Sequence, residues 1–493
     1  MSHDILPPIL KKYLADELPE ILETQKIPGA GVVIVKGDRV LFQQGYGYRD
    51  LEARLPVDTH TLFAIGSTSK AFTAVVLGTL VDEGKLSWDD LVIDYVPEFR
   101  TLDPVANRQM TIRDVMCHRS GLPRHDLIWL LSDFSRQRLL ESIRYQQPFA
   151  PFRSRFHYNN VMWLVAGIVG ERITGKSWEQ NVKERIFDPL DITEATFFVS
   201  EMQKRADFAC PYSLKNDQLK RVPFRSLDAI GPAGSINAHI EDYGKWLMLN
   251  LNQGCYQGRQ VISAANLAEI HAPQMAMPVD DELASAFRAI KEFSDLVYTF
   301  GWVSVHFRGR RHIMHAGGID GFSAFITLLP DEQLGVGVLT NKGEINSHYA
   351  ITWEIVDRFL GDAPGAWVAL ISGFEKLVKE NETHAEEEAA AAQVSGTSPS
   401  HPLQAYCGDY RHPAYGTLTI CEEGGQLAGS YNRYPVTFKH YHYDVFQMLL
   451  DDGSIEHKFN ANFASDVKGQ INRVFLPLEA RVDEIEFVRA AQA

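Results

Sequence analysis

Read for the alternation of apolar and polar positions, the first half of the chain predicts an amphipathic helix, a hairpin and a buried helix. Residues from about Ile9 to Thr24 place Ile9, Leu10, Tyr13, Leu14, Leu18, Ile21 and Leu22 at helical spacing. Two apolar runs then flank Gly37-Asp38 between Pro28 and Gln43, which is a hairpin signal. From Ala71 to Val81 the chain is apolar without a polar face, closed by Asp82-Glu83-Gly84-Lys85, so a buried helix with Gly84 as its stop is expected. Helices and loops fill the stretch from about Leu80 to Trp302, with helices starting near Met110, running from Val161 to Ile173, and running from Ile240 to Leu251.

From Phe300 the pattern turns to strands, at 301–306, 312–316, 321–329 and 334–341, and a helix from about Ser347 to Leu360 closes the unit. The early hairpin and these late strands make one antiparallel sheet flanked by helices, with the helical stretch inserted as an all-α lobe: an α+β architecture. Residues 375–402, with their Glu/Ala run and Ser-Gly-Thr-Ser-Pro-Ser, read as an acidic, serine-rich linker. Short strand-like runs after it predict a small antiparallel β-barrel. The expected domains are thus 1–374, the linker 375–402 and the barrel 403–493.

Composition changes this picture little. The 493 residues carry a formal charge of −15, which argues against nucleic acid or an anionic membrane surface as partner. The 5 cysteines are scattered and form no C-x-x-C pair, so neither a disulfide framework nor a zinc site is indicated. Neither a signal peptide nor a membrane-spanning stretch is recognisable, and a cytoplasmic setting is expected.

The candidate chemistry begins at Ser67-Thr68-Ser69-Lys70, at the start of the buried helix. A serine in the first turn lies in the positive field of the helix N-terminus, and its own N–H can face a developing oxyanion. A lysine three residues on shares its face and takes or relays the serine proton when burial disfavours the ammonium. Ser67 is read as nucleophile and Lys70 as its activator, although Ser-x-x-Lys recurs without such context at Ser465–Lys468. Two further fragments bear on it. Tyr158-Asn159-Asn160 offers a phenol as general base and an amide to hold the lysine and a substrate carbonyl. A core tyrosine followed by a helix-capping asparagine reads equally from the same residues. His315-Ala316-Gly317-Gly318 offers a histidine to bond the tyrosine or substrate, small residues for close approach, and the Gly318 N–H as a second oxyanion donor.

The order Ser-x-x-Lys, Tyr-x-Asn, His-x-Gly, with Cys117-His118-Arg119-Ser120-Gly121-Leu122-Pro123, Asp188-Pro189-Leu190 and Gly231-Pro232-Ala233-Gly234-Ser235, resembles the serine β-lactamase and penicillin-binding-protein superfamily. The likeness is to its class C-like branch of esterases and D-aminopeptidase-like hydrolases, and spans about residues 10–361. It implies an α/β lobe and an all-α lobe, an acyl-enzyme at Ser67, proton transfer by Lys70 and Tyr158, and neither metal nor organic cofactor. The C-terminal barrel resembles the lipocalin-like appendage of some members, which makes a homo-oligomer an open expectation.

Two departures matter. His315 stands where β-lactamases and penicillin-binding proteins usually carry lysine, which tilts the expectation toward ester, amide or short-peptide substrates. Arg153 and Arg155 replace the common Pro-Gly turn before the tyrosine; they bind a substrate carboxylate or form surface salt bridges. Acyl transfer to a non-water acceptor, weak β-lactamase activity and a catalytically silent scaffold assembling through the barrel remain the alternatives.

Overall fold

A computed structural model of the 493-residue chain describes residues 5–491 except 216–217, 279–289, 291 and 344–345. It divides into two compact units. The first comprises Met1–Pro97, Met110–Arg119 and Met162–Lys376; the second comprises Glu98–Gln109, Ser120–Val161 and Leu377–Ala493.

In chain order, the first unit's sheet begins with β1 (Gly29–Lys36), β2 (Arg39–Asp50) and β3 (Leu55–Pro56). Helices α1 (Ser69–Asp82), α2 (Asn160–Thr174) and α3 (Ile240–Leu251) follow among shorter ones. Then come β4 (Met275–Ala276), β5 (Phe293–Tyr298), β6 (Val303–Phe307), β7 (Arg310–Ile319), β8 (Phe322–Leu329), β9 (Leu334–Thr340), α4 (Ser347–Leu360) and α5 (Trp367–Ala391). The sheet order is β4-β5-β6-β7-β8-β9-β1-β2-β3, so the early hairpin joins the late strands through the β1–β9 pairing, with Val33 opposite Gly337. The antiparallel sheet expected from the sequence is therefore present.

Strand β1 is buried almost throughout because both of its faces are covered. On one face Val32, Ile34, Val336 and Val338 meet Leu10, Leu14 and Leu18 of the N-terminal helical segment and Ile351, Ile355 and Phe359 of α4. On the other face α3 packs closely. A Cβ at Gly337 would sit 2.8 Å from the Tyr243 ring, and one at Gly335 would sit 2.9 Å from Leu247. Helix α1 is buried from Ser69 to Leu80, and Phe72 stacks on Trp246 of α3 at 3.8 Å between ring centroids.

In the second unit the barrel runs from Gly408–His412 to Ile485–Arg489, each strand pairing with the next and the last returning to the first through Tyr410 and Arg489. It is closed by eight strands among the described residues. Alternation along these strands turns Tyr410, Phe446, Met448, Phe463 and Phe487 inward, where they are buried. The expected linker differs: α5 continues through Ala391, because its Glu and Ala residues are strong helix formers. The Ser-rich stretch after it is tied to the barrel, the Gln393 amide donating to the Tyr441 carbonyl at 2.6 Å and the Ser400 hydroxyl to Asp444 at 2.7 Å. Among the described residues no helix is long and apolar enough to cross a membrane.

Candidate active site

The first unit brings Ser67, Lys70, His315, Gly317 and Gly318 together. Ser67 lies in a 3₁₀ turn, Gly66–Thr68, that leads directly into α1. The turn is fixed from several sides. The Thr68 hydroxyl donates to the Ile65 carbonyl at 2.9 Å and lies 2.6 Å from the buried Tyr243 hydroxyl, while the Ser69 hydroxyl accepts from the Ile236 N–H at 3.2 Å. Ser67 is half-buried and Lys70 fully buried.

Lys70 Nζ donates to Ser67 Oγ at 3.0 Å and to the Ala233 carbonyl at 2.8 Å. Ala233 belongs to Gly231-Pro232-Ala233-Gly234, a short helical turn held by the Thr73 hydroxyl donating to the Pro232 carbonyl at 2.7 Å. A buried ammonium is tolerated only when its N–H groups find acceptors. The Ala233 carbonyl is such an acceptor, and nothing in the spacing of the sequence points to it.

Strand β7 runs alongside the nucleophile turn. A Cβ on Gly317 would lie 1.9 Å from the Ile65 carbonyl oxygen, and one on Gly66 would lie 2.8 Å from the Gly318 nitrogen. Gly66 also has φ of 51°, which favours glycine. The glycines at 66 and 317 thus allow the strand and the turn to touch backbone to backbone, with Gly318 exposed at the edge.

His315 sits on the same strand, 6% exposed. Its Nδ1 lies 2.6 Å from the Ala316 carbonyl, an acceptor only, so Nδ1 carries the proton and Nε2 accepts from the Tyr298 hydroxyl at 3.0 Å. Burial first, and then the charge of Lys70, push the His315 pKa down to about 3, so the imidazole is neutral near pH 7. Tyr298 also packs edge-on against the buried His118 ring, at 4.6 Å, and His118 Nε2 accepts from the Trp163 indole at 3.2 Å. The sequence marks His118 only as part of the Cys117–Pro123 stretch and does not mark Tyr298, because the partners of both lie elsewhere along the chain.

In the second unit Tyr158 and Asn160 lie beside Arg124 and Asp126. The Arg124 guanidinium lies 4.9 Å from the centre of the Tyr158 ring, and the Asn160 amide donates to Asp126 at 3.0 Å. Arg153 is exposed, lies over the Phe152 ring at 4.6 Å and donates to the Gln109 carbonyl at 2.9 Å. Arg155 lies 5.4 Å from the centre of the Phe149 ring. Among the described residues no group of three or more His, Cys, Asp or Glu side chains is placed to hold a metal.

Three buried histidines of the first unit give a pH prediction. Burial pushes His271, His312 and His315 each down to about 3. The unfolded chain binds their protons below the ordinary imidazole range while the folded chain does not, so their contribution to stability is full above that range and is lost as pH falls. Asp242, raised to about 7 by burial, acts in the opposite direction, and His239, lowered to about 4, offsets it. The urea midpoint is expected to fall steadily on going from about pH 7.5 to about pH 5. A midpoint that stays level or rises on acidification contradicts this reading.

A family model described as Beta-lactamase matches residues 14–358. The chain belongs to the beta-lactamase family. With it comes a coarse activity class, that of the serine hydrolases. A model for a domain of unknown function (DUF3471) matches residues 392–489, over the barrel. Among similar proteins, the "Unguisins hydrolase ungD'" of Aspergillus campestris is 29% identical over 435 residues, covering 83% of this chain and 78% of that protein. The "Protein flp" of Staphylococcus aureus (strain MW2) is 26% identical over 339 residues, covering 66% of this chain and 62% of its own length. Among solved structures, the octameric penicillin-binding protein homologue from Pyrococcus abyssi aligns with a TM-score of 0.61 at 22% identity, covering 98% of this chain and 99% of that one. A penicillin binding protein from Bacillus halodurans aligns with a TM-score of 0.54 at 22% identity, over 66% of this chain and 95% of that one. These two likenesses establish the shared fold, barrel included in the first case.

Proposed function

We propose that the chain is a serine hydrolase that takes the acyl group of a small ester or amide onto Ser67 and releases it to water. The observation that carries this reading is the 3.0 Å hydrogen bond from the buried Lys70 ammonium to Ser67 Oγ, with the backbone of β7 alongside. Ser67 Oγ attacks the carbonyl carbon, and Tyr158 takes its proton as general base with Lys70 as electrostatic support. The oxyanion is received by the Ser67 and Gly318 N–H groups. Collapse of the tetrahedral intermediate expels the alcohol or amine, which takes the proton back from Tyr158, and water then repeats the sequence on the acyl-enzyme. Asn160 orients the lysine and the substrate carbonyl, and Arg153 and Arg155 are candidates for a substrate carboxylate.

The neutral His315 supports ester or amide substrates over β-lactams, because it presents no cation at the position where β-lactam-binding relatives usually carry lysine. The relative named as a hydrolase supports hydrolysis as the fate of the acyl group. The octameric state of the Pyrococcus abyssi homologue supports a homo-oligomer here, to be measured by light scattering.

Intact-mass spectrometry after incubation with a fluorophosphonate, p-nitrophenyl esters, a penicillin, a cephalosporin and D- and L-amino-acid amides tests the assignment. One adduct mapped to Ser67 is expected in the wild type and none in Ser67→Ala, with esters or amides turning over faster than either β-lactam. Labelling that persists in Ser67→Ala would overturn it.

A further inference from the structure

We propose that the C-terminal barrel is a positioning element of the catalytic machinery, holding Tyr158 and Asn160 in place through the tripeptide Arg124-His125-Asp126. This rests on the reading of Tyr158 as the general base. The tripeptide has two sides. Toward the Tyr-x-Asn fragment, Arg124 covers the Tyr158 ring, Asp126 accepts from the Asn160 amide at 3.0 Å, and the two are joined by Arg124 Nε donating to Asp126 at 2.7 Å. The Asn159 amide donates to the carbonyl of the preceding Pro123 at 2.5 Å.

Toward the barrel, the His125 ring is fully buried. Its Nε2 lies 2.9 Å from the Gln147 carbonyl and therefore carries the proton, so Nδ1 accepts from the hydroxyl of Tyr415, in the barrel, at 2.7 Å. The His125 N–H donates to Glu479, also in the barrel, at 2.8 Å. His125 has φ of 49°, a conformation a non-glycine residue holds only when its surroundings over-determine it. Tyr415 and Glu479 are two of those surroundings. Just beyond, Asn432 of the barrel donates to the Leu131 carbonyl at 2.8 Å and to the Tyr415 carbonyl at 3.1 Å, which locks the same two segments together.

A second connection runs in parallel. Arg481 of the barrel lies 5.4 Å from the centre of the Phe149 ring, and Phe149 meets the ring of His157, the neighbour of Tyr158, edge-on at 5.4 Å. The barrel thus reaches the base's segment by two routes. A general base is effective only while it stays within hydrogen-bond reach of the proton it removes, and a displacement of about 1 Å costs up to about a hundredfold in rate.

The test compares Tyr415→Phe/Glu479→Ala with wild type in the full-length chain, using a p-nitrophenyl ester and the rate of fluorophosphonate labelling. Expected is a loss in kcat of about tenfold or more with KM within about twofold, and a displaced pH–rate profile. Near-UV circular dichroism should stay native, and Glu479→Gln, which keeps an acceptor oxygen, should restore most of the rate when it replaces Glu479→Ala. In a Tyr158→Phe background the double change should cost much less than it does in the wild type, the remainder acting through Asn160. A wild-type kcat and pH profile in Tyr415→Phe/Glu479→Ala, while Tyr158→Phe is inactive, overturns the proposal alone. A Tyr158→Phe variant with wild-type kcat removes the reading it rests on.

Discussion

Ser67→Ala and Lys70→Met are each expected to lower kcat for a p-nitrophenyl ester by about 10⁴-fold, and the double variant should be no worse than either single change. The reason is that the two side chains act as one unit across the 3.0 Å hydrogen bond: without the hydroxyl there is no acyl acceptor, and without the ammonium the hydroxyl is neither oriented nor electrostatically supported. Methionine nearly matches the volume of lysine, so the buried space is kept filled. What the substitution removes is the charge and the donor to Ala233, leaving that carbonyl unpartnered at a cost of about 1–3 kcal/mol. Thermal unfolding should therefore show a modest loss of stability beside a much larger loss of rate. Steady-state kinetics on the three variants decide the matter. If the losses of the single variants multiply in the double, the serine and lysine act independently and the mechanism is wrong.

Gly317→Ala is the second large effect. Its Cβ would stand 1.9 Å from the Ile65 carbonyl oxygen, a backbone atom that cannot swing aside. Strand β7 must move away from the nucleophile turn by more than an ångström for the two to reach ordinary contact. The Gly318 N–H moves with it, and the oxyanion loses a donor aimed at it, so kcat should fall by about 10²-fold or more. KM should change less, since the ground-state carbonyl relies on that donor less than the oxyanion does. Gly318→Ala is the control: a Cβ there meets nothing within 4 Å, and its rate should stay much closer to wild type. Equal, near-wild-type rates for the two variants count against the close strand–turn approach as a functional feature.

How much of this was legible along the chain depends on the reach of each interaction. The Ser67–Lys70 relation is local, one helical turn, and the apolar run behind it announces a buried helix. The hairpin of β1 and β2 and the strands from Trp302 onward follow from continuous apolar runs bounded by turn residues, as strands covered on both faces require, and the barrel follows from alternation, as along Val445–Asp451. The bounds read for α3, Ile240–Leu251, are those of the structure, where the His239 ring caps the start by accepting from the Asp242 N–H. The acidic stretch near Glu386, expected as linker, is helical, since charge and small residues signal both solvated coil and exposed helix. Only the continuation of α5 to Ala391 distinguishes them.

Periodicity and three short motifs were enough to specify the individual strands, the buried helix and the candidate nucleophile, because each depends on residues within a turn or two of one another, whereas the pairing of β1 with β9 joins residues at opposite ends of the unit. The partners of His315 and Lys70 were not specified in this way. Tyr298 and the Ala233 carbonyl reach them from 17 and 163 residues away, along paths that no spacing rule encodes. The same holds for His125, whose partners Tyr415 and Glu479 are 290 and 354 residues distant. Hydrogen-bond donors and acceptors are chemically interchangeable along a chain, and packing alone selects which of them meet.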